Sequence, residues 1–144
     1  MSFSSDLKTF EINFKEVTEK KLRGSLLSFC TQVIKFTPAD TGRLRGNWQT
    51  SFNKPKLSLL DRKQLSNTSG NATSEMQQAL SKLKLGDIFY FTNNLPYARV
   101  VEFGLYPNPP KDPVGGKTVG GFSKLAPTGM VRVNFKRLVE KLKK

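Results

Sequence analysis

Leu22, Leu26, Phe29, Cys30 and Val33 recur at offsets of 4, 7, 8 and 11, the apolar stripe of a 3.6-residue period. The spacing predicts a helix that ends near Phe36, because Pro38 disfavours helical geometry in Thr37 and has no amide to donate. Phe10, Phe14 and Val17 carry an apolar face further back, with Gly24 between the two halves, which places the start between Asp6 and Asn13. Val131, Phe135, Leu138, Val139 and Leu142 repeat the same offsets and predict a C-terminal amphipathic helix. Lys141, Lys143 and Lys144 stand at its end, where the dipole favours cations.

Between the helices the period changes to two. Trp48, Thr50 and Phe52 alternate with Asn47, Gln49 and Ser51, a half-buried strand that Pro55 ends. Residues 61–73 hold one apolar side chain besides Ala72 and read as a mobile surface loop. A short helix follows, with Ser74 and Gln77 as a capping box, Met76, Leu80 and Leu83 on one face, and Gly86 as terminator. Ile88 to Thr92 is aromatic and β-branched enough for a second strand, turned by residues 93–96. Residues 97–103 suit a helical turn or a buried strand equally. These elements predict an α+β fold: one domain over 1–144, with the two amphipathic helices on one side of a small antiparallel sheet of 44–53 and 88–92.

Residues 105–124 contain Pro107, Pro109, Pro110 and Pro113, then Gly115, Gly116, Gly120 and Gly121. Prolines stiffen the first half and glycines loosen the second, which predicts an extended arm, disordered in the free subunit and ordered on assembly. Tyr106 and Phe122 would be its apolar anchors on a neighbouring subunit.

Composition narrows the function. The chain has 144 residues, 24 Lys and Arg against 11 Asp and Glu, one Cys and no His. That length buries roughly 68% of the unfolded surface without needing a disulfide or metal. The lack of His removes the commonest zinc ligand and general base, so no catalytic set, metal or cofactor is expected. No apolar run approaches the roughly 20 residues of a membrane span, and the N-terminus lacks the order of a signal peptide, so folding in a cytoplasm is expected. The charge of +13 is uneven. Residues 35–63 carry seven basic and two acidic side chains, and residues 111–144 nine and two. Arg43, Arg45, Lys136, Arg137 and Lys141 are the expected basic surface, facing DNA or an acidic protein patch.

Candidate chemistry is sparse. Asp40-Thr41-Gly42 matches the tripeptide of aspartic proteases, but Pro38 precedes it and Arg43 and Arg45 follow, which would keep the Asp ionised. A turn accounts for it better, with the Asp side chain accepting nearby amides and Gly42 at positive φ. Gly116-Lys117-Thr118 lacks the first glycine of a phosphate loop. Trp48 and Phe52 among cations could stack nucleic-acid bases, but their shared face argues for core. Glu102, among apolar residues, is expected to be partly buried with an Arg partner.

Three ordered blocks carry a resemblance: residues 37–48 (TPADTGRLRGNW), 93–104 (NNLPYARVVEFG) and 126–133 (APTGMVRV). Together they resemble the tail-completion, or neck, protein family of long-tailed bacteriophages. The resemblance implies a small α+β structural subunit with no enzymatic activity, in a ring, expected to be hexameric, at the head-tail junction or head-proximal end of the tail. It implies contacts with the head connector or stopper and with tail-terminator or tail-tube proteins. Location in the virion, assembly in the host cytoplasm, and non-specific contact with DNA in the channel go with it. The motif positions fall on Pro38, Asp40, Thr41, Gly42 and Leu44, joining helix to strand, and on Tyr97, Ala98, Glu102 and Gly104, leading into the arm. A tail-terminator ring is the nearest alternative, and a free basic DNA-binding protein a different class.

Overall fold

The computed structural model describes residues 2–111 and 116–143 and has an α+β architecture. Helix α1 (Phe3–Phe36) leads through the single turn α2 (Arg43–Gly46) into strand β1 (Trp48–Phe52). Helix α3 (Asn71–Leu80), strand β2 (Phe89–Asn93) and helix α4 (Pro96–Phe103) follow. A small hairpin of β3 (Thr118–Val119) and β4 (Phe122–Ser123) then precedes helix α5 (Arg132–Leu142). Strands β1 and β2 pair antiparallel with Trp48 opposite Asn93, Thr50 opposite Phe91 and Phe52 opposite Phe89.

Helix α1 stops where the sequence requires, with Thr37 extended before Pro38. It starts at Phe3, earlier than the expected Asp6–Asn13, because the Ser2 Oγ accepts the Ser5 N–H as an N-cap. Residues 44–46, expected in the strand, belong to α2, since Gly42 at φ 81° turns the chain before the alternation begins.

The strand is buried on both faces rather than one. Trp48 stacks on Phe91 with ring centroids 4.7 Å apart and donates its indole N–H to Thr37 Oγ1 at 2.8 Å. Opposite, Asn47 and Gln49 are buried, and both bond the stretch just before the expected loop of 61–73. Asn47 exchanges hydrogen bonds with the Leu60 backbone, and Gln49 Nε2 donates to Ser58 O at 2.7 Å. The expected loop itself is tied down, with Arg62 donating to Gly46 O, Trp48 O and the Glu75 carboxylate. Buried Gln64 accepts the N–H groups of Ala72 and Thr73 on Oε1. It thereby caps α3, which begins at Asn71 behind Gly70, so Ser74 is inside the helix and forms no capping box. Met76, Leu80 and Leu83 are buried as expected, although the helix ends at Leu80, before Gly86.

Layering also differs from expectation. Helix α3 lies on β1 and on α1, while α5 packs on α1 and not on the sheet. Phe135, placed in the α5 stripe, is 54% exposed and pairs edge-to-face with Phe29, ring centroids 6.3 Å apart. The core is one cluster around Cys30, Val33, Ile34, Trp48, Met76, Leu80, Val101 and Met130. Burial pushes the Cys30 thiol far above its ordinary value, which leaves it an inert core residue.

Residues 97–103 resolve as helix. The arm is not a free extension where it is described: residues 118–123 form the β3–β4 hairpin, and the Tyr106 N–H donates to Gly121 O at 3.0 Å. The expectations for Pro113, Gly115 and Lys144 lie outside the described residues.

Candidate functional site

A cleft of about 570 Å³ opens between three pieces of chain: the α1–α2 connection, α4, and the β3–β4 hairpin with its flanks. Pro38, Asp40, Thr41, Gly42 and Leu44 form one wall, Tyr97 and Val101 the floor, and Tyr106 with residues 116–118 and 123–125 the other wall. Two of the three sequence blocks thus meet here, although 44 residues separate them.

Local geometry explains the first wall. Gly42 takes φ 81°, and a Cβ on it would stand 2.9 Å from the Gln64 backbone. The Gln64 N–H donates back to Gly42 O at 2.8 Å. The expected turn therefore forms, but its hydrogen bond runs from the Arg43 N–H to Thr41 Oγ1, not to Asp40. Asp40 instead faces outward, 3.1 Å from Lys117 Nζ, in an ion pair whose partners are both about three-quarters exposed. It is the side-chain link across the mouth.

The second block supplies the floor and a clamp. Pro96 opens α4 at a position where a missing N–H is harmless. Half-buried Tyr97 faces the cleft, buried Ala98 packs in the core, and Gly104 ends the helix at φ 67° with the Phe122 ring against its Cα. Burial pushes the Tyr97 hydroxyl above its ordinary value of 10, against the pull of the Arg43 charge, so it stays a neutral donor. Glu102 is buried as expected, but its partner is not an Arg side chain. Its carboxylate accepts the backbone N–H groups of Met130, Val131 and Arg132 at the start of α5. The Arg132 guanidinium goes to the Glu102 backbone carbonyl, 2.9 Å away. The third block is thus held to the second, beside the cleft.

Arg45 is not part of a basic surface. Its guanidinium donates to Ile34 O at 3.1 Å, to Thr37 O at 2.7 Å and to Leu65 O, with only 7% of the residue exposed. Burial lowers its pKa, and the three carbonyls compensate the charge. Arg43, Lys136, Arg137 and Lys141 are exposed. Arg137 lies over the Phe36 ring at 5.2 Å. Tyr106 and Phe122, expected to anchor on another subunit, are half-buried against their own domain.

Chemically the cleft is a receptacle with an apolar floor. Lys117 is occupied by Asp40, and Ser123 Oγ accepts the Leu125 N–H at 3.2 Å. Among the described residues no group of three or more His, Cys, Asp or Glu is placed to hold a metal, and no helix is long and apolar enough to cross a membrane. Sequence reasoning missed Arg62, Gln64 and Glu75; Arg62 and Gln64 are isolated polar residues in an aperiodic stretch and Glu75 is a polar position of α3, and none carries a signal of its distant contacts. No family model, no curated protein and no solved structure matches this chain.

Proposed function

We propose that this chain is a structural subunit of a tailed-bacteriophage virion, without enzymatic activity. It would form a ring at the head-tail junction that completes the tail and joins it to the head. The observation that carries this reading is the convergence of the three blocks that resemble neck proteins. The first and second line one cleft, and the second clamps the third through Glu102. Residues of those blocks serve as turn, floor and clamp, and the Asp40 carboxylate is engaged with an exposed lysine, an arrangement suited to holding a neighbouring chain.

The supported mechanism is docking. An apolar floor with a rim that carries Asp40, Lys117 and Lys124 fits an apolar side chain on an extended segment of a connector, tube or sister subunit. The exposed cations of α5, Lys136, Arg137 and Lys141, suit an acidic protein rim or DNA in a channel. Electron microscopy of particles assembled without this protein tests the reading. Full heads, and tails that lack their head-proximal ring and fail to join, are expected. Normal joined virions would overturn it.

A further inference from the structure

From Phe3 to Val17 every residue of α1 is exposed, and Glu19 ties the helix to the body by accepting the Leu85 N–H at 3.0 Å. Over those four turns Phe3, Leu7, Phe10, Phe14 and Val17 are 51% to 77% exposed. Their spacings of 4, 3, 4 and 3 give a period of 3.5, the repeat of a helix that packs along another helix. The edges of this stripe carry Asp6 and Glu11, while Lys8 and Lys15 lie on the opposite face at 100° per residue.

On the same face, the stripe continues into a groove between α1 and α5, made of two adjoining hollows of about 570 and 320 Å³. Gly24, Phe29, Leu138 and Leu142 line it, and Lys20, Lys21, Arg137 and Lys141 surround it. Gly24 is mid-helix, where glycine costs roughly 1 kcal/mol relative to alanine, and beyond the adjoining helix backbone nothing lies within 4 Å of where a Cβ would be. Its own fold does not require the glycine; close approach of another helix would.

We propose that the free protein pairs with a second copy of itself, each N-terminal helix lying antiparallel in the α1–α5 groove of the other. One two-fold contact satisfies both surfaces because stripe and groove share a face. In register, Leu7 sits over the partner copy's glycine at position 24, Phe14 meets position 17, and Phe10 lies along the stem of position 21. Acidic stripe edges then face the basic groove rim. A parallel pair would instead stack groove on groove and bring Asp6 toward Glu11, like charges in both places. This pairing concerns the free protein and does not rest on the virion reading.

Cysteine cross-linking with light scattering decides it. Leu7 and Gly24 are about 25 Å apart along one helix, so a disulfide in Leu7→Cys/Gly24→Cys must join two chains. Cys30 is fully buried and does not interfere. The double variant should give a covalent species of two chains, and neither single variant should cross-link. The unmodified protein should have a two-chain mass. Leu7→Ser/Phe10→Ser/Phe14→Ser should fall to a one-chain mass and still unfold in one cooperative transition whose midpoint no longer depends on protein concentration, since these side chains are exposed on their own chain. Cross-linking by Leu7→Cys alone would mean a parallel pair. A ladder beyond two chains would mean head-to-tail association. Either result, or a one-chain mass for the unmodified protein, overturns the inference.

Discussion

The Glu102 carboxylate receives the Val131 N–H on both oxygens, at 2.8 and 3.1 Å. Val131 precedes α5 and offers no side-chain cap of its own. The orphan N–H groups that begin any helix are therefore satisfied from another helix, 29 residues away in sequence. The negative charge also stands at the positive end of the α5 dipole.

Replacing Glu102 by Ala leaves the buried Met130 N–H and the partly buried Val131 and Arg132 N–H groups without this acceptor. Hydrogen bonds to a charged group contribute about 1.5–3 kcal/mol each and are not additive, so a loss of about 3 kcal/mol is expected in denaturant unfolding. Glu102→Gln keeps one oxygen acceptor and should lose about half as much. Equal stability of all three proteins would show that α5 starts without this clamp.

This contact also marks where sequence reasoning stops. A 3.6-residue stripe names a helix, and both long stripes formed helices. A cap drawn from a distant residue leaves no local signature. Val131 and Gly70 stand where a Ser, Thr, Asp or Asn would signal a start, and their helices are capped by Glu102 and Gln64. The alternation through Trp48 was legible, but it reports one buried face. Asn47 and Gln49 on the other face are polar because the irregular segment covering them presents backbone groups, which apolar side chains could not satisfy. At the cleft, the turn around Gly42 and the burial of Glu102 were readable from residue type. The place of Arg45 was not, since an arginine that donates to three main-chain carbonyls looks the same in sequence as a surface cation.

Gly42 should tolerate no side chain. A β-branched residue at its positive φ is strained by about 1–3 kcal/mol, and the Cβ meets Gln64 backbone that cannot swing aside. Gly42→Val should therefore lower stability by about 3 kcal/mol and loosen the segment around Gln64, read as faster exchange of the Gln64 amide. Asp40→Asn removes only an exposed pair with Lys117 and should leave the unfolding midpoint unchanged. A large shift from Asp40→Asn would mean that the carboxylate is structural.

Phe135 and Leu80 form a paired test of the packing. Leu80 is 2% exposed in the core, so Leu80→Ala should cost about 2–5 kcal/mol. Phe135 keeps 54% of its surface and touches Phe29 by an edge. Phe135→Ala should cost only about 1 kcal/mol, the worth of an aromatic pair with partial burial. The reverse order in thermal unfolding would return α5 to the core.

Glu75 sets an acid limit on the support of β1. Burial alone would push its carboxyl up from the ordinary 4.5, but the Thr50 N–H, Arg62 and Lys56 outweigh that and hold it below. Thr50 N–H and Arg62 Nη1 donate to it at 2.9 Å each, and Lys56 Nζ approaches to 3.2 Å. Because the folded value is the lower one, the unfolded chain takes up this proton first as pH falls. The stabilisation is therefore complete above about 4.5 and is lost as pH drops through the lower folded value. Glu75→Gln removes that titration, so its stability should fall less steeply than the parent's across the acid range, from a lower starting point at neutral pH. Parallel curves for the two proteins from pH 6 down to pH 2 would show that the Arg62 and Lys56 contacts leave the proton affinity of Glu75 unchanged.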